Sequence, residues 1–333
     1  MADERFLLVK LGSLGDIMHT LPAAAALRDS FPGARIDWLV ERKWAALLEG
    51  NPDLSEVVAL DRGSWKALGS CIGRLRATHY TCAVDFQGLY KSAILTFLSG
   101  ASRRVGLAWH LAREGGAALF YDQRVTHSAE HRVAQNLALA ERAGARTTGG
   151  HRFPLRIPAG AETAVATWLA ASDLREFFVI SPGGGWRSKC WPPERFGELF
   201  RELACRGWRG IVNYGPGESE LAEAVCRAAA PAEPLLFSSD LAQLMAMLRR
   251  ARIVVAGDTG PLHLAVALGT PVVGLYGPTD SRQTGPYCAS DIVVRNVPAE
   301  ETTYKRGNQY TAAMLSITVE QVLEAVDKRL GKT

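Results

Sequence analysis

Short apolar runs alternate with amphipathic runs of helix length from one end of the chain to the other, and this alternation restricts the fold more than any other feature. In the first half the apolar runs are RFLLVK, RIDWLV, EVVAL and TCAVDF; in the second they are FFVISPG, GIVNYG, PLLFSS, RIVVAGD and PVVGLYG. Strands buried on both faces read as continuous apolar stretches, and strands that alternate with helices form βαβ units. The expected class is therefore α/β with parallel sheets. The chain of 333 residues is long for one core and suits two domains of about 150 residues each. Residues 144–158, GARTTGGHRFPLRIP, are rich in Gly, Thr, Pro and Arg without helical period and read as the linker. A first Rossmann-like domain is expected over 1–150 and a second, facing it, over 158–315. Residues 316–333 carry a closing helix, TVEQVLEAVDKRL, with Thr318 as its N-cap. Ligands are expected where the carboxyl ends of the strands open into the cleft between the two.

Apolar residues make up 47% and charged residues 22% of the chain, ordinary values for a globular protein. No run approaches the roughly 18 apolar residues of a membrane span. MADERFLLVK resembles neither a secretory nor a transit peptide, so a cytoplasmic location is expected. Cys71, Cys82, Cys190, Cys205, Cys226 and Cys288 are scattered without CxxC pairs and read as reduced thiols, so no metal site is expected. A net charge of +4 is too small to argue for nucleic acid, but it is unevenly spread. Residues 61–113 hold eight basic side chains (Arg62, Lys66, Arg74, Arg76, Lys91, Arg103, Arg104, Arg113) against two acidic ones (Asp61, Asp85). Such a segment is either a solvated basic face or a field that gathers anionic ligands.

Three stretches carry chemistry. In VKLGSLGDIMHTLP, Gly12 and Gly15 permit a tight turn after the first strand, and Asp16 falls in the first turn of the helix that follows. Asp there caps free N–H groups and is favoured by the helix dipole, so capping alone accounts for it; a functional carboxylate is the other reading. The spacing is not GxGxxG, which makes a nicotinamide site a weak alternative.

SPGGGWRSKCWPPERF follows the strand FFVI. Gly183, Gly184 and Gly185 let backbone approach a ligand, and Lys189 stands just ahead of a helix opened by Pro192 or Pro193. The stretch reads as a phosphate cradle or as a plain glycine turn, and it lacks the P-loop pattern. In VVAGDTGPLHLAVALGTPVVGLYGPTD, Asp258, Thr259 and Gly260 end a strand and Pro261 opens a helix with His263 one turn in. Free amides of that first turn suit a diphosphate. Asp258 alone reads as a cap and His263 alone as a structural histidine; two adjacent strand ends, the second ending in YGPTD, favour a nucleotide site.

VKLGSLGDIMHTLPA, VDFQGLYKSA, WRSKCWPPERF and GDTGPLHLAVALGTPVVGLYGPTD together resemble the ADP-heptose:lipopolysaccharide heptosyltransferases, and the second block is most similar to the heptosyltransferase I branch. The likeness runs from about residue 5 to about residue 330. It implies a GT-B glycosyltransferase whose C-terminal domain binds ADP-heptose, whose N-terminal domain binds the Kdo sugars of the lipopolysaccharide inner core, and whose final helix returns to the N-terminal domain. It implies inverting, metal-independent transfer without a cofactor, with Asp16 as general base. Gly184, Gly185, Lys189, Asp258, Thr259, Gly260 and His263 match donor-binding positions, and Glu218 in YGPGESE matches a ribose contact more loosely. Lys91 and Arg113, with Arg62 and Lys66, match positions that contact the anionic acceptor, a Kdo-lipid A. A lipid acceptor further implies transient contact with the inner face of the inner membrane. Two departures stand out: Gly184 and Gly185 occupy positions where the branch carries paired threonines, and the segment from Asp61 to Cys82 is short. Alternatives are another ADP-sugar transferase of the family acting on a later core position or on a protein, a two-lobed binding protein, and a nicotinamide-dependent oxidoreductase.

Overall fold

The computed structural model describes residues 4–61, 63–147, 151–298, 301–304 and 307–331. The chain divides into two compact units, 1–156 and 157–333. The first holds β1 (Arg5–Val9), β2 (Arg35–Glu41), β3 (Glu56–Leu60), β4 (Cys82–Asp85), β5 (Arg103–Leu107) and β6 (Gln123–Val125), in the order β3-β2-β1-β4-β5-β6. The second holds β7 (Phe177–Ser181), β8 (Arg209–Tyr214), β9 (Leu235–Ser238), β10 (Ile253–Gly257), β11 (Val272–Leu275) and β12 (Ile292–Val294), in the order β12-β11-β10-β7-β8-β9. Every pairing is parallel. The strand order thus reverses once in each sheet, between β1 and β4 in the first and between β7 and β10 in the second, and a crevice opens at such a reversal.

The central strands are apolar because helices cover both faces: Leu7, Leu8, Val9, Val254 and Val255 are fully buried. Three strands escape the sequence pattern. β6 and β12 are three-residue strands at the edges, and β5, RRVGL, begins with two arginines.

The helix expected without a break after the first strand is two helices, Leu14–Met18 and Leu21–Ser30. Pro22 lies in the first turn of the second; it has no N–H to continue a ladder from the preceding turn, so the chain restarts there. The turn out of β1 needs glycine: Gly12 has φ +151°, and a Cβ there would stand 2.6 Å from Trp44 Nε1.

Residues 151–156, at the end of the expected linker, are fastened to the first unit. Arg152 pairs with Asp29 at 2.6 Å and Asp53 at 2.5 Å, and Asn51 Nδ2 donates to the Pro154 carbonyl at 2.8 Å. Residues 148–150 lie outside the described residues. The closing helix is Val319–Arg329, and Thr318 Oγ1 accepts from Gln321 N–H at 3.3 Å, as a cap should. Its expected return to the first domain needs correction, because its apolar face, Val319, Val322, Leu323 and Val326, is part of the second unit's core against β11 and β12. All six cysteines are free. Among the described residues no three His, Cys, Asp or Glu side chains gather as a metal site, and no helix is long and apolar enough to cross a membrane.

Candidate active site

At the reversal point of the first sheet, Asp16 occupies the third position of the helix Leu14–Met18. Ser13 donates to Asp16 Oδ2 from its amide at 3.2 Å and from its hydroxyl at 3.3 Å, so the carboxylate does close the helix end. The other oxygen faces two cations. Arg113 Nη2 donates to Oδ1 at 2.9 Å, and Lys10 Nζ lies 3.8 Å from it. Burial by itself would raise the Asp16 pKa, but Lys10 and Arg113 outweigh it and hold the carboxyl well below the usual carboxylate range. The same burial pushes the Lys10 ammonium down to about 8, with Asp16 opposing. Asp16 keeps 15% side-chain exposure against 5% for Lys10, so the acid is reachable and the lysine is not.

The loop after β4 braces this corner. Lys10 Nζ donates to the Phe86 carbonyl at 2.8 Å, and Leu11 N–H donates to Gln87 Oε1 at 3.2 Å. Asp85, fully buried, accepts from the Gln87 and Gly88 amides at 2.7 and 3.3 Å and from Tyr121 Oη at 2.7 Å. Burial raises the Asp85 pKa against those donors. Sequence reasoning missed Lys10; its signal is a charged residue ending an otherwise apolar buried strand.

The expected acceptor residues part company. Arg113 joins Asp16, whereas Lys91, exposed, pairs with Glu41 at 3.4 Å. Lys66 is exposed on the first turn of the helix Trp65–Ala77. Arg62 lies outside the described residues. Part of the basic excess is structural: Arg74 pairs with Glu56, Arg104 with Asp122, and Arg103 Nη2 donates to the Ala143 carbonyl at 2.9 Å.

At the reversal point of the second sheet, β7 runs through the glycines into a short 3₁₀ turn, Arg187–Lys189, before the helix Pro193–Cys205 with Pro192 as its N-cap. Lys189 Nζ is 2.7 Å from Asp258 Oδ2 and 4.4 Å from the centroid of the Trp186 ring. His263 Nε2 is 3.0 Å from Asp258 Oδ1. Burial would raise the Asp258 pKa; His263 and Lys189 overcome it, and the carboxyl is held well below the usual range.

Thr259 caps the helix Gly260–Ala267 with extended backbone but makes no side-chain cap, and its buried Oγ1 has no partner. The Ser188 hydroxyl is likewise buried and unpartnered. Orphaned donors beside uncapped helix amides suit an anion. Gly184 leaves room here: a Cβ would lie 3.2 Å from the Thr259 methyl and 3.1 Å from Cys190 Sγ. A Cβ at Gly183 would overlap the carboxylate of Glu218, which accepts from Gly215 N–H at 2.9 Å. Glu218 is therefore brought against the glycine loop, whereas Gly185 faces open space. A hollow lined by Phe200, Trp208 and Leu235 lies where β8 and β9 begin, at the other end of the strands from Asp258.

Comparison with known proteins bears on the family and the fold. The family described as Glycosyltransferase family 9 (heptosyltransferase) matches residues 69–313. Lipopolysaccharide heptosyltransferase 1 of Pseudomonas aeruginosa is 33% identical over 304 residues, 86% of this chain and 82% of that protein. The protein of the same name from Escherichia coli K12 is 31% identical over 87% of this chain and 93% of that one. The structure of E. coli heptosyltransferase WaaC with ADP superposes with a TM-score of 0.77 at 27% identity, covering 98% of each chain. E. coli ADP-heptose lps heptosyltransferase II gives 0.81 at 22% identity, covering 98% of this chain and 99% of that one, a likeness of fold. With its two six-stranded parallel sheets, the chain has the GT-B fold and is a glycosyltransferase that belongs to family 9, the heptosyltransferases.

Proposed function

We propose that the protein transfers L-glycero-D-manno-heptose from ADP-heptose to a Kdo residue of the lipopolysaccharide inner core, with inversion and without a metal ion. The observation that carries this reading is Asp16: a reachable carboxylate at a sheet reversal, kept ionised by two cations, in a chain of this family. Curated relatives named lipopolysaccharide heptosyltransferase 1, alike over most of their length, favour the inner-core acceptor.

In this reading the acceptor hydroxyl gives its proton to Asp16 as its oxygen bonds to the anomeric carbon, and the bond from that carbon to the diphosphate oxygen breaks. A positioned base contributes about 10² to 10⁴ in rate. Asp16 need only stay ionised, since a sugar hydroxyl becomes acidic as its electrons enter the new bond; Lys10 and Arg113 secure that. The departing ADP gathers charge, and Lys189, the Thr259 hydroxyl and the free amides opening at Gly260 are donors of the kind that stabilise it. Asp258 and His263 hold Lys189 and that loop in place. Glu218 receives the ribose hydroxyls, while Gly184 and Gly185 supply close backbone where side-chain hydroxyls are missing. Arg113, Lys91, Arg62 and Lys66 receive acceptor phosphates and Kdo carboxylates, for which guanidinium forks are suited. On this basis residues 1–150 serve the acceptor and 158–315 the donor, and the enzyme works at the cytoplasmic face of the inner membrane.

The test is turnover of purified protein with ADP-heptose and Kdo₂-lipid A, with and without EDTA. The expected product carries one added heptose and forms equally in both. Turnover only with an acceptor already bearing heptose, or with a protein, would move the enzyme to another step. Loss of turnover in EDTA that added divalent metal restores would end the metal-free mechanism.

A further inference from the structure

The helix Tyr90–Leu98 turns Ala93 and Leu95 into the first unit but leaves Tyr90, Ile94 and Phe97 exposed at 48%, 40% and 47%. Their spacing puts them in one stripe along the helix. The 3₁₀ turn Gly115–Phe120 widens the stripe. Its Ala117 and Ala118 are buried against Ala93, the Phe120 ring meets Phe97 edge-on at 6.0 Å, and the neighbouring Leu119 is 65% exposed. The Tyr90 ring reaches Gly116, where a Cβ would overlap its hydroxyl. Trp109, half exposed, extends the patch: the Arg124 guanidinium lies 5.9 Å from its ring while Arg124 Nε donates to the Ala118 carbonyl at 2.8 Å. The Arg104 guanidinium lies 5.0 Å from the Phe97 ring. Single exposed apolar residues need no explanation, but five large ones joined in this way do.

The charge around the patch selects among occupants. Residues 90–124 carry five cations (Lys91, Arg103, Arg104, Arg113, Arg124) against two carboxylates (Glu114, Asp122). Asp122 offsets Arg104, Glu41 and Asp16 face Lys91 and Arg113, and the Glu114 carboxylate accepts from Tyr90 N–H at 2.6 Å, so Arg103 and Arg124, which donate to neutral carbonyls, keep the face positive. A second copy would bring the same positive face against itself, whereas an anionic bilayer meets both the apolar side chains and the cations beside them. Aromatic rings with cations stacked over them suit the headgroup layer, which is apolar below and charged above.

We propose that Tyr90, Ile94, Phe97, Trp109 and Leu119, with Arg104 and Arg124, form a docking surface by which the first unit rests on an anionic lipid bilayer. The idea rests on the proposed lipid acceptor, which it deepens by giving the enzyme a place to stand while it works. The side chains are too shallow a patch to span anything; they would seat among headgroups and be reversible.

The experiment is co-sedimentation of the full chain with vesicles of phosphatidylcholine alone and of phosphatidylcholine with phosphatidylglycerol, neither containing acceptor. Leu119→Asp and the Ile94→Asp/Leu119→Asp pair are compared with the unaltered protein, with melting temperature as the check on folding. The unaltered protein should bind the anionic vesicles, more weakly at high salt, and the double variant should lose about tenfold or more of that binding. Leu119→Asp, at an exposed turn, should show part of the loss with an unchanged melting temperature. Turnover of a deacylated, soluble acceptor should be the same in all three. Failure of the unaltered protein to bind anionic vesicles, or equal binding by the double variant, would overturn the proposal. So would light scattering that shows a dimer which Leu119→Asp separates, since the patch would then belong to a second copy. Because the vesicles hold no substrate, this result is independent of whether heptose is the sugar transferred.

Discussion

Asp16 and Asp258 occupy matching places, each just beyond a central strand at the reversal of its sheet, and each is held ionised against burial by its partners, Lys10 and Arg113 for the first and His263 and Lys189 for the second. Their remaining valences differ. Asp258 has 7% side-chain exposure, with Lys189 on one oxygen at 2.7 Å and His263 on the other at 3.0 Å. Asp16 has 15%, its lysine stands off at 3.8 Å, and its closest charged partner is Arg113, a residue with 42% exposure of its own. A carboxylate saturated on both oxygens by short, buried contacts organises cations; one with a single loose lysine and a solvent-facing arginine can take a proton. Burial and partner count, more than residue type, separate the scaffold acid from the reactive one.

The sharpest way to break this contrast is Asp16→Asn, which keeps size and polarity. kcat should fall by about 10² or more, with melting temperature and ADP affinity near normal. Full turnover would remove Asp16 from the chemistry. Next in size, Lys189→Met should lower kcat/KM for the donor by about 30-fold. It should also cost about 2 kcal/mol of stability, less than for a buried pair losing its sole partner, because His263 stays on Asp258. Donor kinetics together with thermal melts measure both parts.

Arg113→Ala should raise the acceptor KM about tenfold and leave the donor KM unchanged, since guanidinium forks bind carboxylate and phosphate. Equal changes in both constants would remove it from the acceptor's side. Smaller still is the effect of Lys10→Met on pH dependence. A base acts only when ionised, so activity is lost as pH falls through its pKa, and Lys10 lowers that pKa. Removing Lys10 should move the acid limb of the kcat profile upward in pH; an unmoved limb would show that Arg113 alone keeps the carboxylate charged. The smallest effect belongs to Gly185→Ala: nothing lies within 4 Å of a Cβ there. Donor KM should change by less than about twofold, because the backbone amide is retained. Gly184→Ala, pressing on the Thr259 methyl, should exceed it.

Stability should mirror the same pair of acids. Both have folded pKa values below their unfolded ones, so what they contribute is complete above the unfolded pKa, about 4, and lost as pH falls below it.

The sheet class could be read directly from the sequence, because strands covered on both faces must be continuously apolar. The short edge strands β6 and β12 and the arginine-led β5 could not, since three residues carry too little pattern and the arginines mask the apolar half of β5. The break ahead of Pro22 was not read from the sequence, because the helical period runs on through it; only the structure separates Leu14–Met18 from Leu21–Ser30. Asp16, Lys189, Asp258 and His263 were visible as motif residues, but their pairing was not. That Lys189 and His263 converge on one carboxylate depends on two loops separated by some seventy positions meeting at neighbouring strands. Capping and reactivity are compatible readings of Asp16, and its two oxygens divide them: Oδ2 accepts from Ser13 while Oδ1 meets Arg113. The eight basic residues read equally as a solvated face or as a field for anions, because sequence does not show pairing; Arg74, Arg103 and Arg104 are committed to internal partners.

Two links tie the first and fourth strand ends together, both donated from the first: Lys10 Nζ to the Phe86 carbonyl and the Leu11 amide to Gln87 Oε1. Such a cross-tie makes the two loops a single mechanical piece, anchored below by Asp85 and Tyr121. Changes at Gln87 or Tyr121, neither of which needs to meet a sugar, would therefore register as errors of aim at Asp16, slowing the reaction while leaving both substrates bound.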